Sequence, residues 1–202
     1  MSRPPQQPPE LARLVADAAA GKGVAVTALL QNYLPQVRAY LRLRAGRMLL
    51  DKESVSDLAQ SVCRDVIENL GRFRYDGEDG FRRWLFTTAQ RKIADRYEHH
   101  LAARRRAPPA PDQRAADLQA TLSCYRSFLT PSRHAMAREE LERVERAIAA
   151  LPPAQQEVVL LAKVAGLSRR AIGLELGRSE EAVRMLLHRA LARISDVLAE
   201  DE

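Results

Sequence analysis

The stretch "GLSRRAIGLELGRSEEAVRMLLHRALARI", Gly166 to Ile194, decides how this chain is read. Ser168 can accept from the free N–H groups of a short helix ending near Leu176. Gly177 can take the left-handed conformation that a tight turn needs, and Ser179 can cap a second, longer helix. Short helix, glycine turn and longer helix, in this order, predict a helix-turn-helix. On a helical projection Val183, Leu187, Ala190, Leu191 and Ile194 share one side, predicted to be inward. Glu181, Arg184, Met185, His188, Arg189 and Ala192 take the outward side, the one that faces a major groove when such a helix reads DNA.

Glu180 and Glu181 open that second helix, an odd place for acid in a DNA reader. Two accounts stay open. As the first two helical positions they meet unpaired N–H groups and the positive end of the helix dipole, typically worth about 0.3–1 kcal/mol each. Alternatively, one accepts from a cytosine amino group, or repels phosphate and weakens binding to arbitrary DNA.

Upstream, "EELERVERAIAALPPAQQEVVLLAKVAGL" is punctuated at Pro152-Pro153 and Gly166, so residues 139–202 read as a compact four-helix unit. Residues 105–138 carry prolines at both ends and weak periodicity, the marks of a flexible linker. Before it lies a second unit, residues 25–104. There "SVSD", Ser54 to Asp57, is a capping box in front of Val55, Leu58, Ala59, Val62, Val66 and Leu70, which recur at helical spacing. "GRFRYDGEDG" breaks the pattern with three glycines, and a helical pattern resumes through Phe81, Trp84, Leu85, Ala89, Ile93 and Tyr97. From Arg82 to Arg106 eight Lys or Arg stand against Asp95 and Glu98, a basic stripe on one helix. Residues 25–50 read as one long helix or a helical pair, with Leu29, Tyr33, Val37 and Leu41 on the core side. Residues 1–24 read as a Pro-rich tail and a short Ala-rich helix.

The whole chain has 202 residues, 46% hydrophobic but only 5% aromatic, with a formal charge of +6. Such a composition favours an all-α fold of two small helical domains over a β-sandwich, and the charge suits a nucleic-acid partner. Cys63 and Cys124 form no disulfide framework and no zinc spacing, which fits a reducing cytoplasm. Cys63 reads as a small core residue. His99 and His100 are adjacent and cannot share a helix face as metal ligands at i, i+4 would, so no metal or cofactor is expected. No segment reads as a signal peptide or a membrane span. No Ser/His/Asp set, phosphate-cradling glycine loop or paired carboxylates point to an enzyme.

Three quoted segments resemble one family. "DLAQSVCRDVIENLGRFR" (Asp57 to Arg74), "FRRWLFTTAQRKIADR" (Phe81 to Arg96) and "ALPPAQQEVVLLAKVAGLSRRAIGLELGRSEEAVRMLLHRAL" (Ala150 to Leu191) are similar, in this order, to the sigma-70 family of bacterial RNA polymerase sigma factors, of the small extracytoplasmic-function (ECF) type. The resemblance spans roughly Leu29 to Arg104 and Glu139 to Leu198. It implies a sigma2-like domain, a linker and a sigma4-like domain that direct core RNA polymerase to promoters. Asp57, Gln60, Ser61 and Asp65 would dock on the clamp helices of the polymerase largest subunit, and the C-terminal domain on the flap. Phe73, Arg74 and the following loop would capture an unstacked base of the −10 element, and Arg91, Lys92 and Arg96 would hold that strand. Glu181, Arg184, Met185, His188 and Arg189 would read the −35 element. An anti-sigma factor is a further partner the family allows. This chain departs from many relatives at Arg91, where they carry Asn, and at Met185-Leu186, where they carry Ser-Arg. Two rivals remain on the residues alone. One is a stand-alone helix-turn-helix regulator on a palindromic site; the other is a sigma-like interaction protein.

Overall fold

The computed structural model describes residues 10–103 and 138–200, and in them every regular element is helical. The expected linker and Pro-rich tail, with Cys124 and Arg104 to Arg106, lie outside the described residues. Helix α1 (Glu10–Ala19) lays Val15 and Ala18 against α2 (Gly23–Leu50). Helix α2 is both of the forms expected: one element, but broken at Gly46, whose φ of 65° lies outside the helical region. Breaking a helix frees carbonyls, and the Tyr97 hydroxyl, from a helix later in the chain, donates to that of Ala45.

Helix α3 (Val55–Asn69) starts where the capping box places it: Ser54 Oγ accepts from Asp57 N at 3.0 Å. Val55, Leu58, Ala59, Val62 and Val66 are buried, as the spacing predicts. A 3-10 turn at Leu70–Arg72 and an extended stretch lead into α4 (Glu78–Ala103). Helix α4 therefore begins one turn earlier than the sequence pattern shows, with Gly80 inside its first turn. It also buries Phe86, edge-on to Tyr40 at 5.1 Å between ring centres, besides the expected Phe81, Leu85, Ala89 and Ile93. Helices α2, α3 and α4 pack pairwise around this aromatic and aliphatic core.

The C-terminal unit holds α5 (Arg138–Ala149), α6 (Pro153–Val159) running into a π-turn (Leu160–Val164), α7 (Arg169–Leu176) and α8 (Glu180–Glu200). Helix α8 is the hub, packed by α5, α6 and α7. Gln155, buried in α6, accepts from Arg193 Nη1 of α8 at 3.1 Å, which ties the two.

The two units also touch. Arg42 pairs with Glu145, and Arg44 Nη2 with Glu157 at 3.1 Å. Arg82 Nη1 donates to the Ala165 carbonyl at 2.9 Å, and the Ser168 hydroxyl donates to Asp79. Among the described residues no helix is long and apolar enough to cross a membrane.

Candidate nucleic-acid and polymerase interfaces

The helix-turn-helix is built by the residues that predict it. Ser168 Oγ accepts from Ala171 N at 3.2 Å, Gly177 sits at φ 61°, ψ 37°, and Ser179 Oγ accepts from Ala182 N at 3.1 Å. One further glycine matters. A Cβ on Gly173 would stand 2.6 Å from the Arg178 carbonyl oxygen, so the turn closes directly onto α7 there. Nothing in the periodicity marks this approach; the Gly-x-x-x-Gly spacing from Gly173 to Gly177 was the available signal.

Helix α8 then presents two faces. Val183, Ala190 and Ile194 are buried, with Leu186 and Leu187 partly so, while Glu181, Arg184, Met185, His188 and Arg189 are exposed. Glu180 and Glu181 do occupy the first turn. The opening acids nevertheless have a partner that neither sequence account names. Glu181 takes Arg184 through two parallel bonds, Nε to Oε2 at 2.8 Å and Nη2 to Oε1 at 2.5 Å. The Arg184 guanidinium holds the Glu181 carboxyl below the usual carboxylate range. Glu180 stands farther from its nearest arginine, Arg169, at 4.0 Å.

At the other end, Phe73 stacks on Trp84 with ring centres 4.8 Å apart and planes 25° from parallel. Phe81 braces both, edge-on to Phe73 at 5.7 Å and tilted against Trp84 at 6.0 Å, and is itself packed on Tyr33. Phe73 and Trp84 are half-buried, so the stack is a platform at the surface with a core beneath it. Arg74 and Arg91 are exposed and have no ion-pair partner among the described residues. Lys92 and Arg96 differ: Lys92 Nζ pairs with Asp65 at 2.6 Å, and Arg96 reaches Ser61 Oγ at 3.1 Å and Glu53 at 3.6 Å. His100 Nε2 lies 2.5 Å from the same Glu53.

These pairs divide the expected polymerase-facing set. Ser61 and Asp65 point across to α4, whereas Asp57 and Gln60 are exposed to solvent. Gln60 instead borders an open groove of about 490 Å³ between α2 and α3, floored by Leu30, Leu34, Ala59 and Cys63 and rimmed by Ile67 and Glu68. Cys63 is partly buried rather than core, and that burial pushes its thiol pKa up.

An aromatic platform beside exposed arginines, a helix-turn-helix and an open groove between α2 and α3 thus lie on one chain of two helical units. The family is shown by comparison. The chain matches the model for sigma-70 region 2 over residues 29–106 and that for sigma-70 region 4 over residues 141–194. It is 33% identical over 186 residues to the ECF RNA polymerase sigma factor SigD of Mycobacterium tuberculosis, covering 91% of this chain and 81% of that protein. It is 31% identical to the ECF sigma factor ShbA of Streptomyces griseus, covering 90% and 91%. The chain therefore belongs to the ECF sigma factors of the sigma-70 family, and it acts with RNA polymerase in promoter-specific transcription initiation. Among solved structures, CnrH bound to the cytosolic domain of CnrY is 25% identical, with a TM-score of 0.57 over 94% of this chain and 97% of that one. RpoE of Bartonella quintana, bound to the anti-sigma factor NepR, shares the fold at 17% identity and the same TM-score, over 87% of this chain and 98% of that one.

Proposed function

We propose that within this role residues 139–202 read the −35 element through Arg184, Met185, His188 and Arg189, and that residues 25–104 melt and hold the −10 element. Phe73 offers its outer face to an unstacked base, and Arg74 and Arg91 are the cations free to take phosphate. Lys92 and Arg96 hold α4 against α3 and reach the strand only by leaving Asp65, Ser61 and Glu53. Asp57, Gln60 and the α2–α3 groove receive the polymerase clamp helices. The same groove is the face an anti-sigma factor would cover. The protein works in the cytoplasm by binding alone, with no covalent step of its own.

One observation carries this reading: the outward face of α8 stays exposed while its opposite face is buried in the C-terminal core. The test is transcription from a promoter recognised by the chain, with core polymerase supplied. Arg184→Ala and Arg189→Ala are expected to lower promoter-dependent initiation by about 1–3 kcal/mol of lost binding each. Co-elution with core polymerase should be unchanged, and equal loss of both would refute the assignment. Gln60→Lys is expected to abolish co-elution, and initiation with it, without shifting the melting temperature, because Gln60 is exposed. Asp65→Lys is a poor probe, since it would set two ammonium groups against each other beside α4. Unaltered co-elution of the Gln60 variant would move the docking face elsewhere.

A further inference from the structure

Arginine carries five N–H donors in a planar fork, and the bidentate contact it makes with guanine uses two of them on one edge. In Arg184 one edge is already taken: Nε and Nη2 each donate to a separate oxygen of Glu181, at 2.8 and 2.5 Å. What remains is the end-on edge formed by Nη1 and the second hydrogen of Nη2. Among the described residues the Met185 sulfur, 3.7 Å from Nη2, is the one further acceptor near the guanidinium. Thioether sulfur is a weak acceptor that a base oxygen displaces. The pair lies on the exposed face of α8, with side-chain exposures of 52% for Arg184 and 66% for Glu181. An ion pair so exposed adds little to folding. Its effect is on orientation, because an arginine already held in one rotamer loses less freedom when it docks.

We propose that Glu181 is a positioning residue for promoter reading: it grips one edge of Arg184 and so presents the other edge to O6 and N7 of a guanine in the −35 element. The inference rests on the assignment of α8 to that element and goes one step beyond it. It also explains why acid opens this helix. Glu181 does not contact the base, and its charge, neutralised by Arg184 at close range, does not repel the phosphates as a bare carboxylate would.

The experiment is selection of initiating promoters from a library randomised across the −35 element, using core polymerase with the wild-type chain and with Glu181→Gln, Arg184→Lys and Arg184→Ala. Wild type is expected to select guanine, on one strand or the other, at one position. Both Arg184 variants should flatten that position, Lys because a point charge lacks the fork. Glu181→Gln should flatten the same position, and only that one, by about tenfold, within the range a bidentate arginine–guanine pair supplies. Co-elution with core polymerase should not move, and the melting temperature of Glu181→Gln should fall by no more than the few degrees a lost helix-dipole contact of up to about 1 kcal/mol accounts for. If the Arg184 variants flatten the position and Glu181→Gln does not, the positioning role fails and the reading of α8 stands. If the Arg184 variants leave every position unchanged, the reading of α8 itself fails. A Glu181→Gln effect at a different position, or uniform across the library, overturns the proposal in favour of direct base contact or phosphate repulsion.

Discussion

Gly173→Ala should destabilise the C-terminal unit, although the same change on an exposed helix surface stabilises by up to about 1 kcal/mol. The added methyl would stand 2.6 Å from the Arg178 carbonyl oxygen. That oxygen belongs to backbone, and the turn is held in place by the Arg178 N–H donating to the Gly173 carbonyl at 2.8 Å. Neither partner can swing aside as a long side chain would, so α7 and the turn must part. Forced overpacking of this kind costs about 1–3 kcal/mol, occasionally more. The clash therefore outweighs the propensity gain, and the melting temperature falls by about 2–4 °C per kcal/mol for a chain of this size. Because α8 begins two residues past Arg178, promoter-dependent initiation should fall with it. A melting temperature equal to or above wild type would show that the turn has room to spare.

Phe81→Ala is expected to be costlier, about 3–5 kcal/mol. Phe81 is 1% exposed and packs edge-on to Tyr33 at 5.1 Å. It is also the floor under Phe73 and Trp84, at 5.7 and 6.0 Å. Removing it takes out one buried ring and leaves the surface stack resting on a void. Initiation should therefore fall even though Phe81 itself is too buried to touch DNA or polymerase. Chemical denaturation measures the first effect and promoter opening the second. Phe81→Leu, which keeps most of the volume, should recover much of the stability but less of the opening. A loss below about 1 kcal/mol for the alanine variant would mean that the cavity collapses without cost.

What the sequence made legible was local. As caps, Ser54, Ser168, Ser179 and Gly177 all act on groups three or four residues away, and all four act as expected. The apolar faces of α3 and α8 were legible for the same reason, since one period describes one buried side. Helix α4 was harder because its buried face is wide: Phe86 lies at its edge, three residues before Ala89 and seven before Ile93, and the narrower stripe of Phe81, Leu85, Ala89 and Ile93 passed it over. Gly80 read as a breaker, yet a glycine in the first turn of a helix is tolerated. The basic stripe of α4 was correct as composition and incomplete as chemistry. Lys92 finds Asp65, and Arg96 finds Ser61 and Glu53, only after folding brings α3 and the turn before it alongside. Neither pair leaves a spacing to read. The contact of Glu181 with Arg184, three residues apart, was within reach of ordinary helix-pair rules.

The ion pairs between the two units, Arg42 with Glu145 and Arg44 with Glu157, join groups that one chain carries. Tethering replaces the bulk concentration of a free partner by a local one. Closure of the units on each other is thus insensitive to dilution, and because both pairs are in contact and partly buried, salt screens them less than it would exposed, distant charges. A protein that wedges the units apart competes with a neighbour that never diffuses away.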